Sequence, residues 1–223
     1  MDGDAARRTR ADGRDEPVGE ALVRAGQKLF SDHAVDAVAV DDIVREAGVA
    51  KGSFYKHFPD KEALLTAVAR RIRHRIEREV TDANAHETDP ARRVARAICV
   101  YLRFVADEPE QGAVLVRNDR SGQTLPSMKL NKGTVADVGA GLAQGRFIVP
   151  TVEAGALFVL GVGHAGLTRF NGDRDAASNI WIAQQLCQLV LRGLGVAPAE
   201  SELIAAQAAE DILRRSRTIS DEP

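Results

Sequence analysis

Residues 41–65, DDIVREAGVAKGSFYKHFPDKEALL, constrain this chain more than any other stretch. They read as two short helices around a tight turn at Ala47-Gly48-Val49. Gly48 breaks the first helix and supplies the positive φ that such a turn demands. Ala47 is small where two helices must cross closely, and Val49 fills the space between them. Pro59 ends the second helix. This is the plan of a helix-turn-helix. On the second helix Phe54 and Phe58 stand four apart and are expected to face inward. Lys51, Ser53, Tyr55, Lys56 and His57 are then left mostly outward. That face is rich in donors, has one aromatic edge and carries no acid, which suits the DNA major groove, where phosphates and base edges are both in reach.

Local charge agrees where global charge is silent. The chain's formal net charge is −2, so nucleic acid is not announced by composition. Residues 51–78 nevertheless hold eight Lys/Arg against three acids, whereas residues 1–50 hold seven against eleven. Lys61 sits in the first turn of the next helix, where free N–H groups also attract phosphate.

The remaining sequence is helical in pattern. Helices are expected from Pro17, over Val40–Ala47, over 51–58, and from Asp60, where Leu64, Val68, Ile72, Ile76 and Val80 recur every fourth position. Asp89-Pro90 reads as a cap and first-turn proline, opening a helix to about Asp107 with Val94, Ile98, Tyr101 and Val105 on its core side. A shorter helix fits 110–117, followed by a loop over 118–125. Further helices fit 126–144, closed by Gly145, 151–170, capped by Thr151, and 176–194, ended by Gly195, with a last one over 200–215. No repeat and no convincing strand is found. The fold class is therefore all-α, with about nine or ten helices.

Several function classes are excluded or disfavoured by the same reading. Cys99 and Cys187 form no metal-ligand pattern, so no metal or cofactor is expected. The apolar run 154–167 is short for a membrane span and holds His164 and four glycines. Residues 1–16 are polar and charged, unlike a signal peptide, and are expected to be disordered. A cytoplasmic protein with reduced thiols and no membrane partner follows. There is no Gly-rich phosphate loop, HExxH or nucleophile elbow, which leaves an all-α enzyme as a remote alternative.

Residues 18–65 resemble the DNA-binding domain of the tetracycline-repressor (TetR) family of bacterial regulators. The agreeing residues are Ala25, Leu29-Phe30, Val40, Ile43, Ala47-Gly48-Val49, Lys51-Gly52, Phe54-Tyr55, His57-Phe58 and Lys61 with Glu62-Ala63-Leu64-Leu65. Ala34, Val38, Ala39 and Ala50 depart from the usual pattern; Val38, Ala39 and Ala50 replace hydroxyl caps. The resemblance implies a disordered arm (1–16), a DNA-binding domain (17–62), a connecting helix (63–82), an effector-binding and dimerisation domain (83–216) and a tail (217–223). It implies that Lys51, Ser53, Tyr55 and Lys56 meet double-stranded operator DNA, with Lys56 the candidate for base readout. Gly52 would permit close backbone approach, and Tyr55, His57 and Lys61 would bind phosphates. Arg7, Arg8, Arg10 and Arg14 are candidates for a minor-groove arm.

It further implies a homodimer through the helices near 151–170 and 176–194. Gly155, Gly161, Gly163 and Gly166 would allow close approach, and Trp181, Leu186, Leu189, Val190 and Leu194 would form the apolar side. A small-molecule effector, by preference apolar or aromatic, would sit among Tyr101, Phe104, Leu115, Met128, Phe158, His164 and Trp181. The implied function is a sequence-specific transcriptional regulator, a repressor released by its effector. The alternative is a DNA-binding regulator with no small-molecule effector.

Overall fold

The structure is a computed structural model that describes residues 17–120, 131–170 and 176–214. The arm arginines, Met128 and the tail lie outside the described residues. Ten α-helices and no strand are found among the described residues. By packing, the chain divides into two compact units, with the boundary between Ala69 and Arg70.

The first unit holds α1 (Val18–Asp32), a 3₁₀ turn (Val35–Ala37), α2 (Val40–Ala47), α3 (Lys51–His57) and the start of α4 (Lys61–Ala83). Its core joins Leu22 and Phe30 of α1, Ile43 of α2, Phe54 of α3 and Leu64, Leu65 and Val68 of α4. Gly26 permits this packing: a Cβ there would stand 3.0 Å from a Leu64 methyl. Helix α2 begins without a hydroxyl cap. Asp42 substitutes for part of it, accepting the Ala39 N–H at 3.2 Å, which is half of a capping box. The helix ends as expected at Gly48, with φ 67°. The N–H groups of Gly48 and Val49 donate to the carbonyls of Arg45 and Val44, closing the helix in the Schellman manner. Asp60 caps α4 by accepting the Ala63 N–H at 2.7 Å.

The second unit is organised around α5 (Pro90–Asp107), which packs against α6 (Pro109–Arg120), α7 (Lys132–Ala143), α8 (Val152–Phe170), α9 (Ala176–Gly193) and α10 (Pro198–Ala209). Its buried face includes Val94, Ile98, Leu102 and Val105. Burial of each such side chain contributes about 1.5–3 kcal/mol. Asp89 caps the helix by accepting the Ala91 N–H at 3.0 Å, and its carboxylate is gripped by Arg146 from the other side at 2.9 and 3.0 Å. Thr151 caps α8 through the Ala154 N–H at 3.1 Å. Gly145 and Gly195 both take positive φ, as their places at helix ends require.

Three boundaries differ from the sequence expectation. Helix α6 runs through Asn118, Asp119 and Arg120, which the polar NDR run predicts as loop. Asn118 is almost fully buried, and that burial continues the helix. Helix α7 begins at Lys132; residues 126–130 lie outside the described residues. The last helix starts at Pro198 and gives way to a π-helical turn over Glu210–Arg214.

Candidate nucleic-acid interface and small-molecule cavity

Helix α3 takes the orientation its phenyl rings predict. Phe54 is fully buried and Phe58 half-buried, their centroids 6.0 Å apart. Tyr55 is 53% exposed, enough to present its whole ring edge, and it meets Phe54 edge-on at 5.2 Å. Lys51, Gly52, Lys56 and His57 are exposed, and Ser53 is half-buried. A Cβ at Gly52 would meet nothing within 4 Å, so no intrachain packing requires glycine there. The His57 ring lies along α1, its Nδ1 3.3 Å from where a Cβ of Gly19 would be.

Two lysines of this region have protein partners. Lys51 pairs with Asp41 at 2.7 Å on the open surface, and that hydrogen bond raises its pKa. Lys61 also reaches across the unit to backbone carbonyls. Its ammonium donates to the carbonyls of Val35 at 2.9 Å and Val38 at 3.0 Å, with Asp36 at 3.5 Å. It ties down the turn ahead of α2. That contact joins residues more than twenty apart, so nothing in the local pattern signals it. The basic stripe is also shorter than its sequence count suggests. Arg75 pairs with Glu79 and Glu108 and lies 4.9 Å over the Phe104 ring, while Arg73 lines a cavity of the second unit.

That cavity measures about 530 Å³ and lies between α4, α5, α7 and α8. Ile76, Val80, Val94, Ile98, Val159 and Leu160 form much of its wall. Of the residues expected at a small-molecule site, Tyr101 and His164 line it. Phe104 and Leu115 do not; both are core residues, 2% and 0% exposed, because they face the helix packing and not the gap. Phe158 and Trp181 are not on its wall either. Both lie on the outer surface, and the Phe158 ring rests where a Cβ of Gly193 would be.

Polar residues that the sequence reading missed also line the cavity. Arg93 donates from Nε to Asp137 Oδ1 at 2.6 Å, and Asp137 is buried. Burial pushes the Asp137 carboxyl up, and the Arg93 contact opposes it. Glu77 is pushed up by burial too, with the His74 contact and the Lys132 and Arg73 charges opposing. These residues lie on three helices, and neither carboxylate belongs to a local motif. Cys99 and Cys187, also without partners in the sequence reading, are brought to 3.7 Å as buried free thiols at the α5–α9 contact.

The exposed apolar residues concentrate on the expected helices. Leu157 and Phe158 of α8 and Trp181 and Leu189 of α9 are exposed, while Val190 and Leu194, expected on the same side as Trp181, are fully buried within the protomer. The glycines of α8 divide likewise. Gly155 and Gly166 accommodate Val138 and Leu102 of the same chain, whereas Gly161 and Gly163 face open space. Among the described residues no helix is long and apolar enough to cross a membrane.

Comparison with known proteins agrees with this geometry. Residues 22–68 match the family described as bacterial regulatory proteins, tetR family. An uncharacterised HTH-type transcriptional regulator of Mycobacterium tuberculosis is 30% identical over 100 residues, covering 45% of this chain and 50% of its own length. The HTH-type transcriptional activator FasR of Mycolicibacterium smegmatis is 30% identical over 106 residues, covering 48% of each chain. The chain thus spans about half the length of the curated relatives it matches. The crystal structure of RolR in complex with resorcinol superposes with a TM-score of 0.67 at 23% identity, covering 85% of this chain and 93% of that one. At that identity the likeness establishes the fold. The helix-turn-helix segment thus matches the tetR family of bacterial regulatory proteins, and over the rest of the chain the likeness is one of fold.

Proposed function

We propose that this protein is a sequence-specific DNA-binding transcriptional regulator, a repressor that leaves its operator when a small molecule occupies the cavity of the second unit. The observation that carries the reading is helix α3: Phe54 anchors it from behind while Tyr55, Lys56 and Lys51 face solvent. Lys56 is suited to donate to guanine O6 and N7. The open space over Gly52 supports close approach of a DNA backbone, since no protein atom uses it.

A single helix of this kind covers one half-site, so the regulator acts as a homodimer on a two-fold operator. The exposed Leu157, Phe158, Trp181 and Leu189 support α8 and α9 as the interface, because exposed large apolar side chains on neighbouring helices mark a surface that another chain covers. Effector control is supported by the cavity and by α4, which contributes Leu64 and Val68 to the first unit's core and Ile76 and Val80 to the cavity wall. A ligand that prefers one position of α4 thereby shifts the population that fits DNA. Solved relatives of the same fold include RolR with resorcinol and the regulator FadR from Bacillus subtilis with stearoyl-CoA.

Selection of bound duplexes from a random DNA pool tests the reading. A palindromic consensus, bound with an affinity that falls steeply with salt, is the expected result. Recovery of no sequence above background at low salt would overturn it.

A further inference from the structure

The cavity wall states what an occupant must bring, given the effector reading on which this inference rests. Asp137 is a built feature: its side chain is only 8% exposed, and Arg93 holds Oδ1 at 2.6 Å. Arg93 is anchored in turn, donating from Nη1 to the carbonyls of Asn84 and Glu87, each at 3.1 Å. Among the described residues no donor reaches Asp137 Oδ2. On the same cavity wall, Glu77 Oε1 is buried and has no hydrogen-bond partner, and His74 Nδ1 stands 3.6 Å from its other oxygen. Thr81 cannot serve either, because its hydroxyl donates to the Glu77 carbonyl at 2.8 Å. Two carboxylate oxygens therefore stand on a largely apolar wall as unanswered acceptors.

Charge selects among the ligands that could answer them. Arg73, Arg93 and Lys132 line the same cavity, three cations against two carboxylates. A cationic ligand gains little where the carboxylates already have counter-charges. An anionic ligand would pair with the cations but bring no donor, leaving the Asp137 and Glu77 oxygens unanswered. A neutral O–H donor satisfies the acceptors with charge-assisted hydrogen bonds, roughly twice as strong as neutral ones. The volume of about 530 Å³ suits a small ring system. We propose that the cavity takes an uncharged aromatic compound bearing at least one hydroxyl group, which donates to Asp137 Oδ2 or Glu77 Oε1.

Titration calorimetry on the full chain, with four probes of one shape, tests this: naphthol, methoxynaphthalene, naphthoate and naphthylmethylammonium. Naphthol is expected to bind about tenfold or more tighter than its methyl ether, because the ether leaves both acceptors unmet. Asp137→Asn or Glu77→Gln, whichever removes the accepting carboxylate, should abolish most of that preference while leaving the ether's affinity unchanged, and failure of both to do so overturns the proposal. Glu77 is half-exposed, so the second variant carries the comparison if the first fails to fold. Gly163→Phe, which places a ring in open space on the cavity wall, should abolish binding of both neutral probes. Equal affinity for naphthol and ether, or no binding of either, overturns the proposal. Tightest binding of the naphthoate or the ammonium probe also overturns it, yet leaves the cavity as the effector site. Naphthol binding that survives Gly163→Phe places the ligand elsewhere and overturns the effector reading of this cavity as well.

Discussion

The two units of this chain differ in how their residues are used. In the first, each position of the helix-turn-helix answers one demand: Gly48 a backbone angle, Phe54 a packing site, Tyr55 and Lys56 an open face. In the second, the same wall both packs and encloses a cavity, and its polar residues come from separate helices. A surface that reads DNA must keep a fixed shape, because groove and phosphates do not vary. A cavity need only match one ligand, and many side-chain sets can line the same helices. A solved structure only 23% identical still shares the fold over 85% of this chain.

Breaking the first unit alone tests this division most severely. Phe54→Ala removes a fully buried ring and is expected to destabilise by about 3–5 kcal/mol. DNA binding should vanish while the unfolding transition followed by Trp181 fluorescence, the chain's one tryptophan, stays in place. A Trp181 transition that shifts by the same amount would mean that the units unfold together. Tyr55→Ala with Lys56→Ala touches only the open face. It should lower specific DNA affinity roughly a hundredfold, measured by fluorescence anisotropy, with the melting temperature unchanged. A large drop in melting temperature would place these side chains in the fold and not in recognition.

Lys61→Ala sharpens the comparison within the first unit. Loss of its hydrogen bonds to the Val35 and Val38 carbonyls should destabilise by about 1–2 kcal/mol, seen in denaturant titration. If stability holds and the salt dependence of DNA binding instead falls by about one counterion, Lys61 binds phosphate and not the turn. The smallest effect belongs to the second unit. The Arg146 hydrogen bonds hold the Asp89 carboxyl below its usual range. A depressed carboxyl contributes stability that is complete above its unfolded pKa and is lost as pH falls through the lower folded value. Asp89→Asn should therefore lower stability by up to about 1 kcal/mol at neutral pH, with the difference closing in acid. A difference that widened in acid would contradict the assignment.

The caps and turns were legible because they are local. Asp60, Asp89, Thr151, Gly48, Gly145 and Gly195 each act within a few residues of themselves, and each does in the structure what its position predicts. The cavity was legible only in part. Tyr101 and His164 line it, but Phe104 and Leu115 are core, and Phe158 and Trp181 are surface. Aromatic size and helical spacing signal burial or exposure along one helix; they do not say which neighbour that helix meets. No local pattern marks Asp137, because its partner, Arg93, lies 44 positions away.

By itself, the sequence determined the all-helical class, most of the helix ends and the exposed face of α3, since all of these follow from interactions spanning one or two turns. Only the tertiary structure decided that Lys61 braces a turn, that Arg73 and Arg75 belong to the second unit, and that Glu77 and Asp137 share a cavity. Those outcomes depend on which helices come together, and contacts between distant segments leave no periodic trace in the order of residues.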